Sequence, residues 1–297
     1  MPNKTILSLA DAAAMLPVRN QNGHKGTFGR AMMICGSKTM VGCCVLACEG
    51  ALRSGIGIGI LAFPECLYNT LTSRLTENLF LPLADNGDGF IGKENTSYII
   101  EKANECDVVL LGCGIGVNDD VKSVVKAVVE NVNKPLIIDA DGLNCLSFFK
   151  ESLLNRGAQT LLTPHPGEMA RLCGCDVQNV LQKSELILSD FCKTYNVNVL
   201  LKGHRTLICN NDGSHFYVNE TGNTGLSKGG SGDLLSGIIT GLAPSMGCDL
   251  FKTAALGAFI HGLTADLMKN DFSEYVMLPS DCAKYINKSF KFLEEYN

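Results

Sequence analysis

Thr221-Gly222-Asn223-Thr224-Gly225-Leu226-Ser227-Lys228-Gly229-Gly230-Ser231-Gly232-Asp233 sets five glycines ahead of one aspartate, and a helical apolar pattern follows at once. Leu234, Leu235, Ile238, Ile239 and Leu242 form its apolar side. Glycine lets backbone approach an anion, and the first N–H groups of a helix point at that anion with the dipole behind them. The stretch therefore reads as a phosphate site built without strong positive charge. It is not a Walker A loop, because Lys228 precedes the glycines and no Gly-Lys-Ser/Thr follows them. Asp233 falls in the first helical turn. It reads either as a base that takes a proton from a substrate hydroxyl meeting a phosphate, or as a plain dipole partner of the helix.

Upstream of this turn, short β-rich runs alternate with helical patterns, as a parallel sheet covered by helices requires. Strands are expected at Arg30–Cys35, Gly57–Phe63, Asp107–Leu111, Pro135–Ile138, Thr160–Leu162 and Val197–Leu201. Helices are expected at Gly42–Ser54, Glu65–Leu75, Asp119–Asn131 and Gln178–Tyr195, with Glu168 opening another through Met169 and Leu172. Asn211-Asp212-Gly213 predicts a hairpin between Thr206–Asn210 and His215–Val218. Helices then follow at Ser231–Leu242, Leu250–Lys269 and Pro279–Glu295. In an open parallel sheet, ligands bind beyond the carboxyl ends of the strands. That rim gathers Gly36-Ser37, Gly112 to Gly116, Asp139 and Asp141, Thr163 to Glu168, and Lys202-Gly203 from separate strands. With no repeat, low-complexity tract or linker, the expectation is a single domain over 1–297, residues 1–24 being an N-terminal extension.

Composition narrows the function. Of 297 residues, 46% are hydrophobic and 19% charged, which supplies a large core and argues against disorder. A net charge of −5 leaves no basic footprint for nucleic acid, so an anionic ligand must be held by local groups. No apolar stretch approaches the ~20 residues that cross a bilayer. The 14 cysteines show no Cys-x-x-Cys spacing and many sit in apolar strings such as Met33-Ile34-Cys35. They read as reduced, structural thiols in a cytoplasmic protein.

Lys228-Gly229-Gly230-Ser231-Gly232-Asp233 resembles the anion-hole motif of the ribokinase-like superfamily. Four further segments are similar to the ATP- or ADP-dependent NAD(P)H-hydrate dehydratases within it: Lys25-Gly26-Thr27-Phe28-Gly29-Arg30, Gly36-Ser37 with Gly42, Thr163-Pro164-His165-Pro166-Gly167-Glu168, and Asn219-Glu220-Thr221-Gly222-Asn223. Leu136 to Asp141 and Leu201 to Thr206 fit as well. The likeness runs from about Lys25 to Lys269. It implies a ribokinase-like α/β fold, a largely parallel sheet with helices on both faces and a C-terminal hairpin and helices. The implied activity is dehydration of hydrated NADH or NADPH, spending ADP or ATP, which restores the cofactor. Phosphorylation turns a poor leaving group, hydroxide, into a good one. Since some members carry a fused epimerase domain and about two dozen residues precede Lys25 here, the resemblance implies the stand-alone dehydratase.

Residue by residue, the resemblance implies that Lys202, Gly203, His204, Arg205 and Thr206 line the adenine nucleotide and that Gly232 holds its phosphates. Asp233 would contact the hydrated nicotinamide and act as base toward its hydroxyl. Cys44, Gly114 and His165 would line the dinucleotide pocket, with Asp141 and Asn223 as further contacts. Mg²⁺ would arrive on the nucleotide phosphates, not in a protein cage. A homo-oligomer is expected, the apolar C-terminal helices offering an interface. Cys113 stands where family members usually have proline, and Cys44, Gly142 and Ser227 are also departures, all small. Competing readings are a vitamin-precursor kinase sharing the anion hole and a non-catalytic nucleotide sensor. The Thr163 and Lys25 segments favour the dehydratase.

Overall fold

The computed structural model describes residues 2–296. In chain order the first elements are β1 (Asn3–Ile6), α1 (Leu9–Met15), β2 (Arg30–Ile34), α2 (Gly42–Arg53), β3 (Ile58–Pro64), α3 (Tyr68–Thr72), β4 (Leu79–Leu83), α4 (Thr96–Asn104) and β5 (Val108–Leu111). There follow α5 (Asp119–Asn131), β6 (Leu136–Ile138), α6 (Asp141–Leu146), β7 (Thr160–Leu162), α7 (Pro166–Cys173), α8 (Val177–Gln182), α9 (Ser184–Tyr195) and β8 (Asn198–Leu201). The last elements are β9 (Thr206–Cys209), β10 (His215–Asn219), α10 (Ser231–Leu242), α11 (Leu250–Met268) and α12 (Pro279–Tyr296).

All ten strands join one sheet in the order β4-β3-β2-β5-β6-β7-β8-β9-β10-β1. From β4 to β8 every pairing is parallel. β9 runs antiparallel to both its neighbours, and β1 pairs parallel with β10, Asn3 opposite His215. The ribokinase-like expectation of a largely parallel sheet with a C-terminal hairpin is what the strands make. Side-chain alternation builds the two layers around it. In β2, Ala31 and Met33 enter one core with α2, α10 and α11, while Met32 and Ile34 enter the other with α5 and α9. The sheet is thus buried on both faces, the arrangement expected of parallel strands.

The chain moves outward from β2 through β3 to β4, then returns to the other side of β2 at β5. That reversal is a topological switch point between β2 and β5, on the carboxyl-end rim where such sheets take ligands. Five elements have no counterpart in the sequence reading: β1, α1, β4, α4 and α6. β1 and β4 are edge strands, and β4 contains Pro82, which an edge tolerates because one row of N–H groups needs no partner. The helix expected over 178–195 is two helices, α8 and α9, broken at Lys183. The one expected over 65–75 is helical only in short pieces.

Candidate active site

A cavity of about 840 Å³ opens beyond the strand ends. Its wall includes Asp139, His165, Lys202, Gly203, His204, Thr206, the run from Thr221 to Asn223, and Lys228 to Asp233. The N-termini of α6, α7 and α10 meet here, each contributing its capping residue, Ala140, His165 or Gly230, to the wall.

The floor is the start of α10. Gly230, at φ 97°, occupies a left-handed conformation that glycine takes freely, and it turns the chain into the helix. The Ser231 amide donates to the Lys228 carbonyl at 3.2 Å and the Leu234 amide to Gly230 at 3.1 Å. The amides of Gly232 and Asp233 have no acceptor among the described residues. They are the open donors that a helix N-terminus presents to an anion. Asn223 and Gly222 are fixed above them by Asp266 of α11, which accepts from the Gly222 amide at 2.8 Å and the Asn223 amide group at 3.1 Å.

Lys202, just after β8, provides the positive charge. Its ammonium reaches Asp139 Oδ1 at 2.7 Å and lies 3.8 Å from Glu168 Oε2. Burial opposes that charge, but Asp139 and Glu168 outweigh it and leave the Lys202 pKa raised. A Cβ built on Gly232 would lie 3.4 Å from Lys202 Nζ, so the ammonium stands at the mouth of the glycine turn. Asp233 completes the set. Burial first, and the neighbouring Asp139 second, push its carboxyl up to about 6. A carboxylate poised there is suited to accept a proton near neutral pH.

His165 caps α7: its Nδ1 accepts from the Gly167 amide at 3.0 Å, while Glu168 accepts from the His165 amide at 2.8 Å. Nδ1 being an acceptor, the neutral ring carries its proton on Nε2, facing Glu168 Oε1 at 3.4 Å. Its half-exposed ring lines the cavity. Glu168, which the sequence marks chiefly as a helix start, is buried behind it and does both jobs.

Of the residues singled out in sequence, Asn223, His165, Lys202, Gly203, His204, Thr206, Gly232 and Asp233 share this cavity. Four do not line it. Cys44 is fully buried and packs against Gly36, where an added Cβ would meet its sulfur at 2.3 Å. Gly114 lies against Cys43 and Met40. Asp141 is turned toward the loop after β5 and accepts from the Gly116 amide at 2.9 Å. Arg205 points away to pair with Glu220 at 2.5 Å in solvent. Cavity residues not foreseen as ligand contacts are Asp139, Asn219, Thr221, Ser231 and His261. His261 is pushed down to about 4 by burial, so it stays neutral, and its Nε2 has no hydrogen-bond partner among the described residues.

Cys113, Asp139 and Asp233 bring ligand atoms within 4.8 Å of one another. A buried thiol between two carboxylates is no oxygen cage for Mg²⁺, and Lys202 and Ala140 already occupy Asp139 Oδ1 while Ser236 occupies Oδ2.

Compared with known proteins, residues 31–288 match the family model described as NAD(P)H-hydrate dehydratase. The chain is a member of that family. An ADP-dependent (S)-NAD(P)H-hydrate dehydratase of Neisseria meningitidis is 35% identical over 84% of this chain and 81% of its own length. A bifunctional NAD(P)H-hydrate repair enzyme of Moorella thermoacetica is 33% identical over 99% of this chain but 55% of its own. The chain spans about half the length of the bifunctional relatives it matches. The crystal structure of an ADP/ATP-dependent NAD(P)H-hydrate dehydratase from Bacillus subtilis, co-crystallized with ATP and Mg²⁺, superposes with a TM-score of 0.81 at 27% identity, covering 97% of this chain and 98% of that one. A ribokinase-like superfamily protein of Enterococcus faecalis shares the fold, with a TM-score of 0.83 at 23% identity over 98% of this chain and 96% of its own. Among the described residues no helix is long and apolar enough to cross a membrane.

Proposed function

We propose that this dehydratase-family chain restores NADH or NADPH from the hydrated cofactor, spending the terminal phosphate of ADP or ATP. The observation that carries the reading is the pairing of two open amides, Gly232 and Asp233, with one ammonium, Lys202, around a carboxylate of raised pKa. Asp233 takes the proton of the substrate hydroxyl as its oxygen attacks the terminal phosphorus. The open amides and Lys202 bear the charge that develops on the phosphoryl oxygens. The C–O bond then breaks with phosphate as the leaving group, where hydroxide would not leave, and loss of the proton on the neighbouring ring carbon forms the double bond of the restored cofactor. Lys202, Gly203, His204, Thr206 and Asn223 are the proposed nucleotide and substrate contacts along the walls, with His165 at the edge.

The donor set fits a magnesium ion held chiefly by nucleotide phosphate oxygens and water. Bound there, it would offset phosphate charge that a single lysine cannot balance. Ten of the 14 cysteines are buried and none is paired, which supports a reducing, cytoplasmic setting. One sheet running through the chain supports a single domain, to which residues 3–6 contribute a strand. Phe292 and Tyr296, exposed on α12, support a homo-oligomer.

The test is turnover of hydrated NADH with ADP and ATP in turn, beside a panel of hydroxymethylpyrimidine and thiazole alcohols with ATP. Restored NADH with no phosphorylated alcohol is expected. Phosphorylated alcohol with hydrated NADH untouched would replace this reading with the kinase.

A further inference from the structure

Asp139 stands at the end of β6, where a turn cap would stand, and a cap needs no charge, since asparagine serves as well. Yet this side chain is 1% exposed, and an ionised carboxylate is costly to bury unless donors surround it. Donors converge on it from four parts of the chain. Lys202 Nζ donates to Oδ1 at 2.7 Å, the Ala140 amide to the same oxygen at 2.8 Å, and the Ser236 hydroxyl of α10 to Oδ2 at 2.7 Å. The Cys113 thiol approaches Oδ2 at 4.0 Å. Ala140 adopts φ 50°, a conformation an L residue rarely takes, next to the amide that turns back on Asp139. Such strain beside a buried charge marks a side chain whose position is over-determined.

That position has one consequence for the cavity. A lysine on four methylenes samples many rotamers, and only a fixed partner selects one. Here the partner holds the ammonium 3.4 Å from the Cβ position of Gly232, against the open amides of the turn.

We propose that Asp139 is a positioning residue of the phosphate site, pinning the Lys202 ammonium beside Gly232 so that it meets the nucleotide's terminal phosphate. The inference rests on the nucleotide-driven reading above. Asp139 also acts on Asp233, whose facing charged and titratable groups are Asp139 itself, Cys113 from the loop after β5, Lys202 from just after β8, Asp141 from α6 and Cys35 at the end of β2. Removing the Asp139 charge therefore lowers the pH at which Asp233 gives up its proton.

The experiment is calorimetric titration of Mg·ADP into wild type, Asp139→Asn, Lys202→Met and the double variant. Asp139→Asn keeps the shape and the contacts to Ala140 and Ser236 but not the charge. It is expected to weaken Mg·ADP roughly 10- to 100-fold, the size of a lost charge-assisted contact. The double variant is expected to bind no more weakly than Lys202→Met alone, because Asp139 acts through that lysine. Losses that multiply, or an Asp139→Asn variant binding like wild type, would overturn the proposal. A wild type that does not bind Mg·ADP would instead remove the nucleotide reading beneath it. Should Asp139→Asn fail to fold, Asp139→Glu keeps the charge but moves it by one methylene; weakened Mg·ADP binding is expected of it, and binding like wild type would equally overturn the proposal. As a second readout, the acid limb of hydrated-NADH turnover in Asp139→Asn moves below about pH 6, whereas a merely structural defect leaves it in place.

Discussion

Two demands conflict at Asp233. The fold buries its carboxyl beside another acid, while the proposed chemistry needs it ionised. Its pKa of about 6 in the fold lies above the 3.8 of an unperturbed aspartate, so the native state binds the proton more tightly than the unfolded chain. Above about pH 6 the charge costs stability, and this cost fades as pH falls toward 4. Asp233→Asn is therefore expected to melt a few degrees higher than wild type in mildly alkaline buffer, with the gap closing near pH 4, while turnover falls ~10²–10⁴-fold. Calorimetry and steady-state kinetics on the same preparation check both halves. One residue earlier, Gly232→Ala places a methyl 3.4 Å from Lys202 Nζ and 3.9 Å from Asp139, with no clash to unfold the chain. That methyl fills the space beside the open amides, so an unchanged melting temperature with nucleotide affinity reduced at least about tenfold is expected by titration. Lys202, Gly232 and Asp233 were legible because each ends a strand or starts a helix, where position alone fixes which way the chain faces. Cys44 was not, since two adjacent cysteines opening a helix give no clue to which faces the crevice. His261 was hidden in α11, an almost uninterrupted apolar run in which a lone histidine reads as core.

At the scale of elements, the site depends on how closely α10 lies against α2. A Cβ on Gly237 would stand 2.2 Å from the Ala47 carbonyl oxygen, one on Gly241 2.2 Å from that of Ala51, and one on Gly50 2.6 Å from that of Leu234. The two helix backbones touch, with nothing larger than hydrogen between them. Gly237→Ala is expected to cost about 1–3 kcal/mol in denaturant unfolding and to loosen nucleotide binding, because α10 carries the anion turn at its head. The spacing of Gly237 and Gly241, one turn apart on a helix, is visible in sequence, but its partner α2 is nearly 190 residues away, and only the sheet brings them together. Strong periodicity made α5 and α10 readable to the residue. Mixed polar edges such as β1, and the proline in β4, carry little pattern, because an edge strand buries too little to demand one.

For the whole molecule, the order of strands decides which residues meet in one cavity. The cavity lies beyond β6, β7 and β8, whose ends bring Asp139, His165 and Lys202 to the same space as the open amides of the α10 turn. The sequence placed its candidate residues on this rim from the rule for parallel sheets, which is why the site's location was readable while its inner contacts, set by side-chain direction, were not. On the proposed mechanism, water leaves the cofactor only as phosphate is spent at the Gly232-Asp233 turn. The most direct measurement is the amount of inorganic phosphate released per NADH restored, with ADP or ATP and hydrated NADH as the only reactants. Equal amounts are expected. NADH restored without phosphate release, or phosphate released without NADH, would contradict it.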